Sequence, residues 1–238
     1  MHTADVHIGD DNDPAWRLAG FEAVIDAVLA TAADALLIAG DFFDSARVRE
    51  TESDAALSQL ARLNVPALLT PGNHDCLGPP SIYSRVRLAD AGRHVRFLDD
   101  PDGGHAVLDD LGLTVWARAL VDHHPGHNPL AGYESKTDGN WQVAMAHGHF
   151  VPASQPNDRS SPLLEAEIAR LGCDYLALGH WHVFQQIAAA GGVPAYYPGS
   201  PSESAGSFPS VNLVTLDPET GVSVERIELP KFYARGRA

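Results

Sequence analysis

Short, wholly apolar runs alternate with stretches of helical periodicity in the first third of the chain, and this alternation constrains the fold most. Apolar residues recur at helical spacing after Asp13, a good N-cap, until about Ala33. The apolar run 35–39 follows, then a second helical stretch over 51–63 and another apolar run over 67–70. A strand–helix–strand alternation of this kind predicts right-handed crossovers and a largely parallel sheet.

Short strands separated by Gly and Pro turns dominate the rest of the chain. We predict strands near 95–98, 106–108, 113–117, 142–146, 175–178, 184–187, 195–197, 211–216 and 222–227, with one helix over about 162–171. Two sheets packed face to face with helices outside accommodate this order. The predicted fold class is therefore α/β, a four-layer αββα sandwich of two mixed β-sheets flanked by helices, in one domain over residues 1–238.

Charge and composition limit the classes of partner. The formal net charge is −15, whereas a broad nucleic-acid groove needs clustered Lys and Arg, so any contact with DNA must be local. The longest apolar runs are strand-sized, and the N-terminus lacks the apolar region of a signal peptide. Two cysteines, Cys76 and Cys173, are too few for a disulfide framework. We therefore expect a cytoplasmic protein without a membrane partner.

Five polar motifs lie at or beside predicted strand ends. They are Asp5-Val6-His7, Gly40-Asp41-Phe42-Phe43-Asp44, Gly72-Asn73-His74-Asp75, Ala146-His147-Gly148-His149 and Gly179-His180-Trp181-His182. In an open α/β sheet, ligands bind at the carboxyl ends of the strands, so we expect these motifs to converge on one site.

The residue types in these motifs suit a transition metal. Asp, Asn and His together offer hard oxygen and borderline imidazole donors, a mixture that favours Mn²⁺, Fe or Zn²⁺ over Ca²⁺. Each motif alone has a simpler interpretation, since Gly-Asp after a strand is usually a turn and Asp-x-His near a terminus is usually solvated. Five such motifs in this order are not expected from unrelated turns, so their co-occurrence predicts a metal site.

From Asp5 to His182 the motifs resemble those of the calcineurin-like metallophosphoesterase family. The resemblance implies two divalent metal ions, with Mn²⁺ favoured over Fe or Zn²⁺, and makes Asp41 the bridge between them. It also makes His74 the catalytic imidazole, oriented by Asp75 in a histidine–carboxylate dyad. The other implied ligands are Asp5, His7 and His182 for one metal, and Asn73, His147 and His180 for the other.

The fourth motif leaves two candidate ligands, because either of its histidines could reach a metal. We favour His147, which directly follows the apolar strand 143–146, and expect His149 to contact the scissile phosphate.

Two further segments resemble SbcD-type nucleases. They are the opening His2-Thr3-Ala4-Asp5-Val6-His7-Ile8-Gly9 and the later segment Tyr197-Pro198-Gly199-Ser200-Pro201, although a tight turn is the simpler interpretation of the latter. The resemblance implies a two-metal phosphodiesterase that acts on DNA in DNA repair, as an exonuclease or endonuclease, preferring single strands or ends. The alternative is a small-molecule phosphodiesterase or phosphoprotein phosphatase on the same metal centre, which the acidity of the chain favours.

The chain also departs from that resemblance. Subunits of the SbcD type continue into a DNA-capping region and a segment that binds an ATPase partner, whereas the tail 231–238 is too short for both. Only four residues precede Asp5, so either the first strand is very short or the natural start lies upstream of Met1. A metal-free scaffold is disfavoured, because every ligand position is filled.

Overall fold

The structure, a computed structural model, describes residues 1–12, 14–122, 124, 126–156, 159–187, 192–202 and 208–230. Its strands are β1 (His2–Thr3), β2 (Leu36–Ala39), β3 (Ala67–Thr70), β4 (Val95–Phe97), β5 (Gly104–Leu108), β6 (Leu113–Ala117), β7 (Trp141–His147), β8 (His149–Val151), β9 (Pro162–Leu164), β10 (Tyr175–Gly179), β11 (Phe184–Ile187), β12 (Ala195–Pro198), β13 (Ser210–Asp217) and β14 (Gly221–Glu228). Its α-helices are α1 (Pro14–Thr31), α2 (Glu50–Leu60) and α3 (Glu165–Ile168), and short 3₁₀ helices cover Ile82–Ser84, Leu88–Ala91 and Asp109–Leu111.

The first large sheet has six strands in the order β14-β13-β1-β2-β3-β4. Strands β1 to β4 run parallel, as the helical crossovers α1 and α2 require, while β13 lies antiparallel beside β1 and continues as a hairpin into β14. The apolar runs that predicted β2 and β3 form this sheet's centre, and all eight of their residues are buried.

The second large sheet also has six strands, in the order β11-β12-β10-β7-β6-β5. Its four central strands run parallel and its two edge strands antiparallel. A separate parallel pair, β8 and β9, lies beside the end of β7. Both large sheets are thus mixed, which confirms the predicted fold class.

Alternation along the central strands builds separate cores on the two faces of each sheet. Leu36 and Ile38 of β2 pack with residues of α1 and α2, whereas Leu37 packs with Val143 of β7 and Tyr175 of β10 in the second sheet. A third cluster covers the outer face of the second sheet, where Ile168 of α3 contributes. The sheets therefore bury their inner faces against each other.

Several local predictions need correction. The helix predicted over 162–171 is divided, because its first three residues pair as β9 with β8 and only Glu165–Ile168 is helical. Helix α2 ends at Leu60, three residues before the predicted end. The N-cap predicted at Asp13 lies outside the described residues. None of the described helices has the length and hydropathy needed to span a membrane.

Candidate metal centre

The predicted site residues converge where the parallel strands of both sheets end. Asp5 and His7 follow β1, Asp41 follows β2, Asn73 and His74 follow β3, His147 ends β7, and His180 and His182 follow β10. The carboxyl ends of the first sheet thus supply one side of the site, and those of the second sheet supply the other. This is the convergence that the sequence predicts.

The local backbone is unusual at four of these residues. Asp5, His7, Asp41 and His180 have φ angles of 56°, 54°, 51° and 113°. Residues other than glycine rarely adopt positive φ angles. Holding a residue there costs about 1–3 kcal/mol, so surrounding contacts must stabilise the conformation. The chain turns sharply after each strand and so directs its polar side chains into the site.

Glycine is required beside Asp41. A Cβ atom at Gly72 would overlap the Asp41 carboxylate, and one at Gly40 would overlap the His147 ring. Gly40 also has a φ of 87°. Both glycines therefore allow close approach, and Gly40 also forms the turn that the sequence predicts there.

The first half-site consists of Asp5, His7 and His182. The Nε2 atoms of His7 and His182 lie 3.1 Å apart, and His182 Nε2 lies 3.9 Å from Asp5 Oδ1. Asp5 is fully buried, and its carboxylate accepts hydrogen bonds of 3.0 Å from the backbone N–H of His180. One ligand atom from each of the three residues falls within 4.8 Å of the others, so the group could hold a metal ion.

The second half-site consists of Asn73, His147 and His180. Asn73 Oδ1 lies 3.1 Å from His147 Nε2 and 3.0 Å from His180 Nδ1. His147 is buried, and its Nδ1 lies 2.9 Å from the backbone oxygen of Ala39, to which it donates when protonated. That bond aims Nε2 at the site, as in typical metal-binding histidines.

Asp41 lies between the two half-sites. Its Oδ2 is 3.2 Å from His147 Nε2 and 3.7 Å from His7 Nε2, while its Oδ1 accepts a 2.8 Å hydrogen bond from the His74 backbone. Asp41 belongs to possible metal-binding groups on both sides, one with Asp5 and His147 and one with His7 and His74. This position is the one that a shared ligand would need.

Burial and neighbouring charges compete in setting the pKa values of the site residues. Burial alone would lower the pKa of His147, but the neighbouring Asp41 carboxylate outweighs it and raises that pKa to about 9. Burial would raise the pKa of Asp41, yet His147 holds it well below its usual range. Burial is the main influence on Asp5 and His182, because it raises the pKa of Asp5 and lowers the pKa of His182.

The structure corrects the predicted pair of His74 and Asp75. Asp75 is buried, and its carboxylate accepts hydrogen bonds from the backbone of Phe42, at 2.9 Å, and from the Tyr83 hydroxyl, at 2.6 Å. His74 is exposed, and its Nδ1 lies 3.0 Å from the backbone oxygen of Asp44. Asp75 therefore braces the loops around the site, and its orientation prevents it from orienting the His74 ring.

His149 lies beside the second half-site without joining it. The Trp181 indole N–H donates a 3.1 Å hydrogen bond to His149 Nδ1, and the His149 and His180 rings have centroids 6.0 Å apart. His147, in contrast, reaches Asp41 and Asn73 directly. The geometry thus favours His147 over His149 as the ligand of the fourth motif.

Sequence reasoning missed Asp44, although the second motif contains it. Its Oδ1 lies 3.1 Å from His7 Nδ1 and 3.7 Å from His74 Nδ1. The signal was a second carboxylate three residues after Asp41, at the spacing of one turn. Asp44, not Asp75, is the carboxylate beside the exposed imidazole.

Similar proteins include two that are named DNA double-strand break repair protein Mre11. The one from Methanopyrus kandleri is 28% identical over 221 residues, covering 84% of this chain and 48% of the relative. The one from Aeropyrum pernix is 33% identical over 230 residues, covering 84% of this chain and 52% of the relative. The uncharacterized metallophosphoesterase YhaO of Bacillus subtilis is 28% identical over 223 residues, covering 84% and 52%. The chain spans about half the length of these relatives.

The fold has a counterpart among solved structures. The protein TT1561 of Thermus thermophilus superposes with a TM-score of 0.60 at 12% identity, covering 95% of this chain and 96% of that one. The family model described as calcineurin-like phosphoesterase matches residues 1–184, which include every predicted metal ligand and His74. The chain therefore belongs to the calcineurin-like phosphoesterase family and is a metal-dependent hydrolase.

Proposed function

We propose that this chain is a two-metal phosphodiesterase that cleaves DNA, with a preference for single strands or frayed ends. The observation that carries the proposal is the position of Asp41 between two clusters of donor atoms. The donor set of carboxylate, amide and imidazole fits Mn²⁺, Fe or Zn²⁺, and we favour Mn²⁺. Two bound ions would supply an activated water and neutralise charge on the phosphate.

In this proposal, each residue of the centre has a defined role. Asp41 would be shared by the two ions, and the two half-sites would complete their ligand sets: Asp5, His7 and His182 on one side, and Asn73, His147 and His180 on the other. Burial of both Asp5 and Asp41 supports these assignments, because two buried carboxylates so close together need compensating positive charge.

His74 would deliver a proton to the leaving oxygen or stabilise the charge that grows there. Its side chain is 44% exposed, while its ring lies 4.6 Å, between centroids, from that of His7 in the first half-site. The ring can therefore reach both substrate and centre. We assign Asp44 as its partner, and we expect His149, held by Trp181, to contact the phosphate beside the second half-site.

The DNA substrate draws support from two of the relatives, whose names state a role in double-strand break repair. The chain carries 16 Lys and Arg against 31 Asp and Glu, so it would bind few DNA phosphates beyond the metal centre. A single strand can place one phosphate in the site without a broad basic groove, whereas an intact duplex cannot. An ATPase partner, which the SbcD resemblance implies, stays a prediction.

The second candidate function is a phosphodiesterase of small molecules or a phosphoprotein phosphatase. The similarity to YhaO, whose name states no substrate, supports it as much as the Methanopyrus relative supports DNA, because both are 28% identical to this chain. The net charge of −15 repels a polyanion such as DNA, so it also favours a small phosphoester as substrate.

The test is a comparison of substrates under one set of conditions. End-labelled single-stranded and blunt duplex DNA, a chromogenic phosphodiester and a chromogenic phosphomonoester are each incubated with the protein and Mn²⁺. We expect single-stranded DNA to be cleaved faster than the duplex, with no cleavage by Asp41→Ala. Hydrolysis of the phosphomonoester without DNA cleavage under any divalent metal would refute the nuclease function. The proposed metal ligands would be unaffected by that result.

A further inference from the structure

The segment 197–202 leads from β12 in the second sheet towards β13 in the first, and it passes the metal centre. It contains the Tyr-Pro-Gly-Ser-Pro sequence, for which a tight turn is the simpler interpretation. Every residue of this segment is buried. A turn that only connects two strands would lie on the surface. Burial therefore indicates that this segment has a further structural role.

Ser200 in this segment joins the two sheets at the first half-site. Its hydroxyl donates a 2.8 Å hydrogen bond to the backbone oxygen of Asp5, which follows β1 in the first sheet. Its backbone N–H donates a 3.3 Å bond to the backbone oxygen of His182, which follows β10 in the second. One fully buried serine thus holds the backbones of two candidate ligands of the same half-site.

The direction of the Ser200 hydroxyl proton is fixed by its neighbours. The hydroxyl oxygen accepts a 3.3 Å bond from the Ser202 backbone N–H, and Nη1 of Arg17 lies 3.5 Å away. The Arg17 guanidinium is itself held by Asp10 at 2.9 Å. With donors occupying the acceptor side of the oxygen, the hydroxyl proton points to the Asp5 carbonyl.

Asp5 needs such a contact because its backbone is strained. Its φ of 56° is unfavourable for a residue with a side chain, and it persists only where surrounding contacts determine the conformation. The Asp5 N–H donates to the Gly40 oxygen at 3.1 Å, and Ser200 holds the carbonyl at the other side of the same residue. Together these bonds set the direction of the Asp5 side chain.

We infer that Ser200 is a positioning residue, which aligns Asp5 with His182 and thereby sets the metal affinity of the first half-site. The inference rests on the proposed two-metal function and deepens it. Outer partners of metal ligands typically change affinity or activity by about 10–100-fold when removed. The second half-site has its own support, the Ala39 carbonyl at His147, so the loss should be confined to one of two bound ions.

The experiment compares Ser200→Ala with Ser202→Ala, a matched control. Both change a fully buried serine of the same segment, but the Ser202 hydroxyl has no hydrogen-bond partner among the described residues. Mn²⁺ binding to the metal-free full chain is measured by calorimetry without any phosphoester. Ser200→Ala should weaken one of the two binding steps by about tenfold or more. Ser202→Ala should leave both steps within about twofold of wild type, since it removes no contact to a ligand.

The remaining outcomes decide between a specific and a general role. Equal weakening of both steps, or equal effects of the two variants, would overturn the inference, because a structural defect acts on the whole site. Ser200→Cys keeps a weak donor and should restore part of the affinity, whereas no recovery despite native circular dichroism would count against the hydrogen bond. A wild-type chain that binds none of Mn²⁺, Fe²⁺ and Zn²⁺ overturns the proposed function itself, and the inference with it.

Discussion

The two half-sites differ in what holds their buried histidines. In the second half-site, His147 is 3% exposed and the backbone oxygen of Ala39 fixes its ring. In the first, His7 is 2% exposed and the carboxylate of Asp44 holds its ring. A backbone oxygen of β2 is fixed by the sheet, whereas the Asp44 side chain is 27% exposed and free of that constraint.

We expect the two half-sites to have different roles in the reaction. The exposed His74 lies against His7, on the side of the first half-site. We therefore expect the leaving oxygen of the substrate and the proton donor to meet at the first half-site, while His149 contacts the phosphate beside the second. Variants that affect both sites, only the chemistry, or only one site should separate these roles.

The largest effect is expected from Asp41→Ala, because Asp41 lies between the two half-sites and is their shared ligand in the proposed function. Removing it takes away a negative charge that offsets both ions, so metal occupancy and activity should both be abolished. Elemental analysis after gel filtration measures the metals per chain. Two metals per chain in Asp41→Ala would show that the half-sites are independent of this residue.

His74→Ala should separate chemistry from binding. General acid catalysis typically contributes about 10²–10⁴-fold, so turnover should fall by that amount while both metals remain bound. His105→Ala, on the edge strand β5, changes the same residue type outside the centre and serves as the control. A nearly unchanged rate in His74→Ala would remove His74 from the mechanism and leave the first half-site without its proton donor.

The two histidines of the fourth motif should behave differently in one assay. His147→Ala should lose the ion of the second half-site, because His147 contacts both Asp41 and Asn73. His149→Ala should keep both ions and lose activity by about 10²–10³-fold, as expected for removal of one group that contacts the reacting phosphate. Metal content and turnover are measured on the same preparations, and the reverse pattern would exchange the roles of the two residues.

The smallest effect is expected in the number of protons that the chain releases when it binds metal. The pKa of His147, about 9, means that its ring is protonated at pH 7, and a metal must displace that proton. The lowered pKa of His182 means that no such proton has to leave there. Calorimetry at pH 7 in buffers of different ionisation enthalpy should show about one proton fewer released by His147→Ala than by wild type. His182→Ala should leave proton release unchanged, and equal losses in both variants would erase the contrast.

How much the sequence predicted depends on the range of the interactions involved. Strands β3 and β6 were predicted residue for residue, because their apolar runs are buried on both faces and bounded by turn residues. The helix over 162–171 was too long, since pairing of β9 with β8 is a tertiary contact that helical periodicity does not encode. The motif residues were brought together as predicted, because parallel strands place their carboxyl ends at one edge.

Partners within the site were harder to predict than its members. Asp75 directly follows His74 in the chain, yet its carboxylate turns to the backbone of Phe42 and to Tyr83, and Asp44 takes the place beside the ring. Ser200 contacts Asp5 across 195 residues, a separation at which no local pattern signals a hydrogen bond. Side-chain direction after a turn with positive φ is set by the surrounding packing, which sequence spacing does not contain.

Because each half-site draws ligands from both sheets, the centre forms only when the sheets are docked. Asp5 comes from the first sheet and His182 from the second, and Asn73 and His147 divide in the same way. An ion that binds the docked arrangement and not the separated one stabilises it in proportion to the logarithm of its concentration. Divalent metal would then raise the free energy of unfolding of the docked sheets. Chelation should therefore make the protein easier to unfold and to cut with proteases.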